Sequence, residues 1–321
     1  MMKKLLRKIL WWLLAVLAAL VVFGLVLSFL PSPVKVHHQG ITPEKAAELR
    51  ATYPGPHQIF TTSDGERLFI RQWVPDSIQA GKEDMAILIF HGITAYSGAY
   101  EMAAVPFSEG GYMTFGLDYR GHGLSDGNRG DSPNRERWIA DLVESVEYLK
   151  GLGFQRVVVL GHSLGVAAAM CVAEAIPEEP AGVVLLSGAY EGKTGNSMDQ
   201  ISFFQKLRII STSIFRPSHQ AVEYYRDGML GMNDPLFNYK YTLRFLTMLD
   251  VNQLRISENM HAPVLVGIGD QDELFDVDKA RELYDLIPGN NKEFLVWKGA
   301  THAEIGREHW EQIVDWLDRS F

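Results

Sequence analysis

Arg156-Val157-Val158-Val159-Leu160-Gly161-His162-Ser163-Leu164-Gly165-Val166-Ala167-Ala168-Ala169-Met170 is the stretch on which the fold of this chain turns. Val157 to Leu160 is too short for a helix and too continuously apolar for a half-exposed strand, so it reads as a strand buried on both faces. From Leu164 the residues are small, apolar and helix-forming. Between the two stands G-x-S-x-G. A serine in a sharp strand-to-helix turn occupies strained backbone where larger flanking side chains would collide, and Gly161 and Gly165 supply the room. The turn lifts the Ser163 hydroxyl to the carboxyl end of the sheet, and Leu164, opening the helix, offers its backbone N–H beside it.

Similar apolar runs lie on both sides. Residues 85–90, 112–117, 182–186 and 263–268 repeat the compact pattern, 294–297 is a shorter version, and 58–62 and 67–73 are joined through Ser63-Asp64-Gly65, a hairpin signal. Helical patterns fall between them at 99–109, 132–151, 164–175, 277–286 and 304–317. Strands alternating with helices predict an α/β fold, a mostly parallel sheet with helices on both faces. The core is expected over 56–190 and 261–321. Residues 191–260 break the rhythm and carry Tyr241, Phe245, Leu246 and Leu249 at helical spacing, which predicts a helical cap inserted into the core.

A serine hydroxyl is a weak nucleophile and needs a base, itself oriented by a carboxylate. Behind an elbow of this kind the chain order is serine, acid, histidine. Asp272 follows the apolar run that ends at Gly269, and His302 follows the 294–297 run, so both fall at carboxyl ends of strands. Asp270 and Asp276 are the alternative acids. His37 and His38 belong to a tether, His162 lies inside the elbow, and His91 and His122 suit loop-shaping hydrogen bonds. His57, His219, His261 and His309 read as surface residues. A second oxyanion donor is expected from the loop after residues 85–90, where Ile93 follows the flexible Gly92. No metal site or cofactor is expected: His302 and His309 have the wrong spacing for a zinc helix, and Gly121-His122-Gly123 does not open a helix.

The 321 residues are 47% hydrophobic and carry a net charge of -9, but the charge is unevenly spread. Lys3, Lys4, Arg7 and Lys8 precede the first acidic residue, Glu44, and the chain after residue 30 has 26 basic against 39 acidic residues. An acidic body without basic clusters argues against nucleic-acid binding. Residues 9–30 contain no charge and would reach about 33 Å as a helix, enough for a hydrocarbon core of about 30 Å. They are expected to be a transmembrane signal anchor behind a cytoplasmic basic tail, residues 1–8, with a tether over 31–55 and the catalytic part outside the cytoplasm. A cleaved signal peptide shares this pattern. The run exceeds a usual secretory core and lacks an A-x-A end, although Val26-Leu27-Ser28 is a weak cleavage site. Cys171 is the only cysteine, so the anchor is the peptide and not a lipid. No N-x-Ser/Thr sequon occurs, which favours a bacterial periplasmic setting.

Taken together, His91-Gly92, Ser97-Gly98-Ala99-Tyr100, the run from Asp118 to Gly127, GHSLG at 161–165, Gly269 to Asp272 and Gly299 to His302 resemble the α/β-hydrolase superfamily. Within it they resemble the monoacylglycerol lipase and lysophospholipase-like group. The resemblance runs from about Gln58 to Trp316. It implies a serine hydrolase acting on acyl esters, with Ser163, Asp272 and His302 as triad, Ile93 and Leu164 as oxyanion donors, and the insertion as a cap over an acyl pocket. Where the group commonly has Gly-Glu-His after the oxyanion residue, this chain has Thr94-Ala95-Tyr96.

Overall fold

In a computed structural model of the chain, residues 2–31, 38, 40–193, 201–226, 229–248, 254 and 257–321 are described. Eight strands form one sheet: β1 (His57–Thr61), β2 (Arg67–Trp73), β3 (Met85–Phe90), β4 (Met113–Leu117), β5 (Arg156–His162), β6 (Pro180–Leu186), β9 (Val264–Gly269) and β10 (Lys292–Trp297). Their spatial order is β1-β2-β4-β3-β5-β6-β9-β10, antiparallel at β1/β2 and β2/β4 and parallel elsewhere. The Ser63-Asp64-Gly65 turn closes as expected, with the Gly65 N–H donating to Thr62 O and Gly65 at φ 94°.

Side-chain alternation along each strand builds two cores. Met85, Ile87 and Ile89 face α3 (Glu101–Glu109) and α9 (Arg307–Ser320), burying Phe107, Trp310 and Trp316. Ala86, Leu88 and Phe90 face the other way, toward α4 (Arg135–Gly151) and α5 (Leu164–Ala175), against Trp138, Leu142 and Val146. α8 (Val277–Leu286) covers the same face through Leu283. After β3 the chain moves to β4 on one side, then crosses to β5 on the other. The carboxyl ends of β3 and β5 therefore bound a switch point, where α/β sheets open a crevice.

Between β6 and β9 the described residues form α6 (Phe203–Phe215), α7 (Leu243–Met248) and a two-stranded ribbon, β7 (Val222–Glu223) with β8 (Lys240–Tyr241). Tyr241 thus lies in a strand and not on the helix that carries Phe245 and Leu246; Leu249 lies outside the described residues. The ribbon has little periodicity because it is two residues long on each side, too short to leave a pattern.

Toward the N-terminus, α1 (Met2–Phe29) is a single helix long and apolar enough to cross a membrane. The expected tether includes a packed element, α2 (Pro43–Ala51), capped by Thr42 Oγ1 accepting from the Lys45 N–H. Arg50 is buried and donates to Leu124 O and Asp126 Oδ1, which pins α2 to the core. His38 Nε2 is 2.8 Å from Asp234 O; His37 lies outside the described residues.

Candidate active site

Gly161 and Gly165 are required by space. A Cβ on Gly161 would stand 1.9 Å from Gly165 O, and one on Gly165 would stand 2.0 Å from Phe90 O. That crowding holds Ser163 at φ 58°, ψ −118°, a left-handed backbone that non-glycine residues rarely adopt. The strain turns the hydroxyl toward the crevice.

The structure brings Ser163, His302 and Asp272 into one line. His302 Nε2 is 3.0 Å from Ser163 Oγ, and His302 Nδ1 is 3.0 Å from Asp272 Oδ2 and 3.2 Å from Oδ1. Asp272 is buried and its Oδ1 also accepts from the N–H groups of Leu274 and Phe275. Burial pushes its pKa up, but the hydrogen bond and charge of His302 and these two amides outweigh burial and hold it below the usual carboxylate range. Of the alternative acids, Asp270 accepts from the Gly299 N–H at 2.7 Å, and Asp276 stands at the start of α8, paired with Lys193.

Ile93 and Leu164 both line the cavity space around Ser163. The Leu164 N–H is at the first position of α5, where no preceding turn supplies an acceptor. The loop carrying Ile93 is held from three sides. The His91 ring bonds Gly92 O through Nδ1 and accepts from the Tyr119 N–H; burial lowers its pKa far below the usual value, so it works as a neutral ring. From the cap, Tyr241 Oη donates to Ile93 O and the Asn238 N–H donates to Thr94 O. Tyr96, in the tripeptide that departs from the usual pattern, donates to Asp234 Oδ2 of the cap.

Two contributors escaped sequence reasoning. Tyr100 Oη accepts from the Gly92 N–H at 2.7 Å and donates to His162 Nδ1 at 2.8 Å, while His162 Nε2 donates to His302 O at 2.8 Å. Burial and the nearby His302 lower the His162 pKa to about 3, so the ring stays neutral in this tautomer. One hydroxyl thus joins the Ile93 loop to the elbow and, through His162, to the His302 backbone. Tyr100→Phe should leave a buried amide and ring nitrogen unpaired, costing about 1–3 kcal/mol of stability. It should lower kcat about tenfold with KM nearly unchanged, because contacts to substrate remain while alignment loosens; unchanged kcat with normal melting would remove Tyr100 from this role. The second is Glu273, whose Oε2 accepts from the His302 N–H at 3.0 Å while Oε1 pairs with Arg226 of the cap at 3.0 Å. Glu273 follows Asp272 directly in the chain, and only the path of the cap reveals its use.

Ser163 opens on two hollows. One, about 680 Å³, is lined by Ala99, Met102, Tyr224, Leu230, Phe237 and Trp310 among others, with Arg226 and Glu273 at its polar side. The other, about 290 Å³, is largely apolar and bounded by Val166, Met170, Tyr190, Leu254, Leu274 and Phe275.

The family described as "Serine aminopeptidase, S33" (Hydrolase_4) matches residues 81–308. The chain belongs to this family. It is an α/β-hydrolase of monoacylglycerol lipase-like type. It is 25% identical to the monoacylglycerol lipase of Mycolicibacterium smegmatis over 268 residues, 80% of this chain and 93% of that protein. It is 26% identical to human monoglyceride lipase over 301 residues, 86% and 96% of the two chains. The fold is shared with the monoacylglycerol lipase of Paleococcus ferrophilus, TM-score 0.62 at 23% identity, covering 79% of this chain and 99% of the other. It is also shared with a soluble variant of the Saccharomyces cerevisiae monoglyceride lipase in complex with a substrate analog, TM-score 0.64 at 19% identity over 91% and 99%.

Proposed function

We propose that this chain is a membrane-anchored serine hydrolase that cleaves carboxylic esters of acyl lipids, of monoacylglycerol or lysophospholipid type, through an acyl-enzyme on Ser163. The observation that carries this reading is the Ser163–His302–Asp272 line opening on two hollows, the smaller of them largely apolar. Ser163 Oγ attacks the ester carbonyl carbon as His302 Nε2 takes its proton, and the oxyanion forms against the Ile93 and Leu164 N–H groups. The C–O bond to the alcohol breaks as His302 returns the proton to the leaving oxygen. Water then attacks the acyl-serine, giving its proton to His302, and the released acid leaves Ser163 protonated again. No cofactor enters these steps.

The cap and the apolar lining support an acyl substrate, and the relatives' names support a glyceride-type ester. A hydrophobic helix with a basic flank supports a single-pass anchor, N-terminus cytoplasmic and catalytic domain outside the cytoplasm. Fluorophosphonate should label the wild type and leave Ser163→Ala unlabelled. In a panel of monoacylglycerols, lysophospholipids, thioesters and aminoacyl amides, turnover above Ser163→Ala should fall on the oxygen esters. Equal labelling of both proteins overturns the nucleophile; preference for amides or thioesters overturns the substrate class; lipid binding without turnover makes it a noncatalytic relative.

A further inference from the structure

A further hollow, about 530 Å³, backs onto the catalytic one, and Phe237 lines both. Its walls come from three parts of the chain: His38 and Thr42 ahead of α2, Arg129 from the loop after β4, and His219, Gln220 and Lys240 from the cap. Arginine, lysine and two histidines therefore meet around one space. None of the described residues that line it is acidic, although the chain carries 39 acidic against 30 basic residues.

Arg129 is the unusual member. It is 5% exposed, and no carboxylate among the described residues stands within ion-pair distance of it. Its Nη1 donates to Gly123 O at 3.1 Å and its Nη2 reaches Asn238 Oδ1 at 3.4 Å, while Nε is buried without an acceptor. Asp118 acts on it through charge alone, since the two Asp118 oxygens accept from the Ser97 and Leu124 N–H groups. Burial lowers the Arg129 pKa to about 10, and the group stays charged at neutral pH. A buried cation without a counter-charge in contact is costly, because the interior stabilises charge far less than water does.

The carboxylates around the walls are already engaged. Asp131 is bound by Arg244 and by the Thr242 hydroxyl, Asp234 by the Tyr96 hydroxyl, and Glu223 stands 3.9 Å from Lys240 Nζ. His219 Nδ1 accepts from Arg216 at 3.0 Å; burial first, then the charges of Arg216 and Arg208, lower the His219 pKa. Arg216 also donates to Ser28 O, near the end of α1, so only two side chains separate that helix from the hollow.

We propose that this hollow binds a phosphate-bearing anion, held by Arg129, His219 and Lys240, which bridges tether, core and cap. Phosphate suits donors arriving from three walls because it offers at least three strong acceptor oxygens. The same group is carried by the headgroup of an anionic phospholipid beside α1 and by a soluble phosphate ester. Only the headgroup source rests on the anchoring reading above.

The full chain in dodecyl maltoside, a detergent without phosphate, is titrated calorimetrically with inorganic phosphate and with glycerol 3-phosphate, glycerol being the neutral control. Both anions should bind with a Kd below about 1 mM. Lys240→Met and His219→Gln should each raise that Kd at least about tenfold, the loss expected for one hydrogen bond to a charged group. Lys279→Met, which removes the same charge from α8, should leave it unchanged. The titration is repeated in phosphatidylglycerol nanodiscs. Competition there makes the headgroup the occupant, and undiminished binding makes it the soluble ester. The site is overturned if neither anion binds, if glycerol binds as well as they do, or if both site variants bind like the wild type. Fluorophosphonate labelling of Ser163 in the same samples reports separately on the hydrolase reading, so either can fail without the other.

Discussion

Asp272→Asn should lower kcat/KM about 10⁴-fold while leaving the fold intact. The amide oxygen can take the Oδ1 position and go on accepting from the Leu274 and Phe275 N–H groups at 2.8 and 3.0 Å. That choice points the amide NH₂ at His302 Nδ1, where Asp272 Oδ2 stood at 3.0 Å. Two donors cannot face each other, so Nδ1 gives up its proton and the imidazole carries it on Nε2, the nitrogen 3.0 Å from Ser163 Oγ. A protonated Nε2 cannot accept the serine proton. Steady-state hydrolysis of a soluble short-chain ester measures the loss. A fall below about tenfold would transfer the orienting role to Asp270 or Asp276.

Gly165→Ala should cost about 3 kcal/mol or more and lower the melting temperature by roughly 6 °C or more. The added methyl would stand 2.0 Å from Phe90 O and 2.7 Å from its carbonyl carbon, and backbone in a central strand cannot swing aside like a flexible side chain. Relief requires α5 to move away from β3, taking Ser163 with it. A shift of about 1 Å at the nucleophile costs on the order of 10²-fold in rate, so fluorophosphonate labelling of the surviving folded protein should slow by that factor. Melting within a degree of wild type would mean that the elbow tolerates a side chain.

The core was legible because its strands are short, continuous and bounded by turn chemistry, and each expected run is found within a few residues of its strand. The elbow announced itself through two glycines whose missing side chains are explained by contacts under 2.1 Å. Asp272 and His302 could be selected because strand ends restrict where an acid and a base can meet Ser163. The cap was legible only as a break in rhythm. Its ribbon pairs Val222 with Tyr241, and neighbours that far apart along the chain leave no local signal. Tyr100 was visible as a motif letter, but its role depends on Gly92 and His162 converging from β3 and β5.

The cap leaves the core at the end of β6 and returns at β9, and these two strands are neighbours in register, Leu186 opposite Gly267. Its ends are thus already tied together by the sheet. Closure entropy grows only logarithmically with loop length, about 0.6 kcal/mol per doubling, so this insertion can lengthen, shorten or be exchanged at little cost to folding. What a replacement must reproduce is small: a hydroxyl for Ile93 O, an amide for Thr94 O, and a guanidinium for Glu273. Ser163, Asp272 and His302 all lie outside the exchangeable segment. Under the proposed mechanism, an exchanged cap would change which alcohol is released and leave the bond-breaking residues in place.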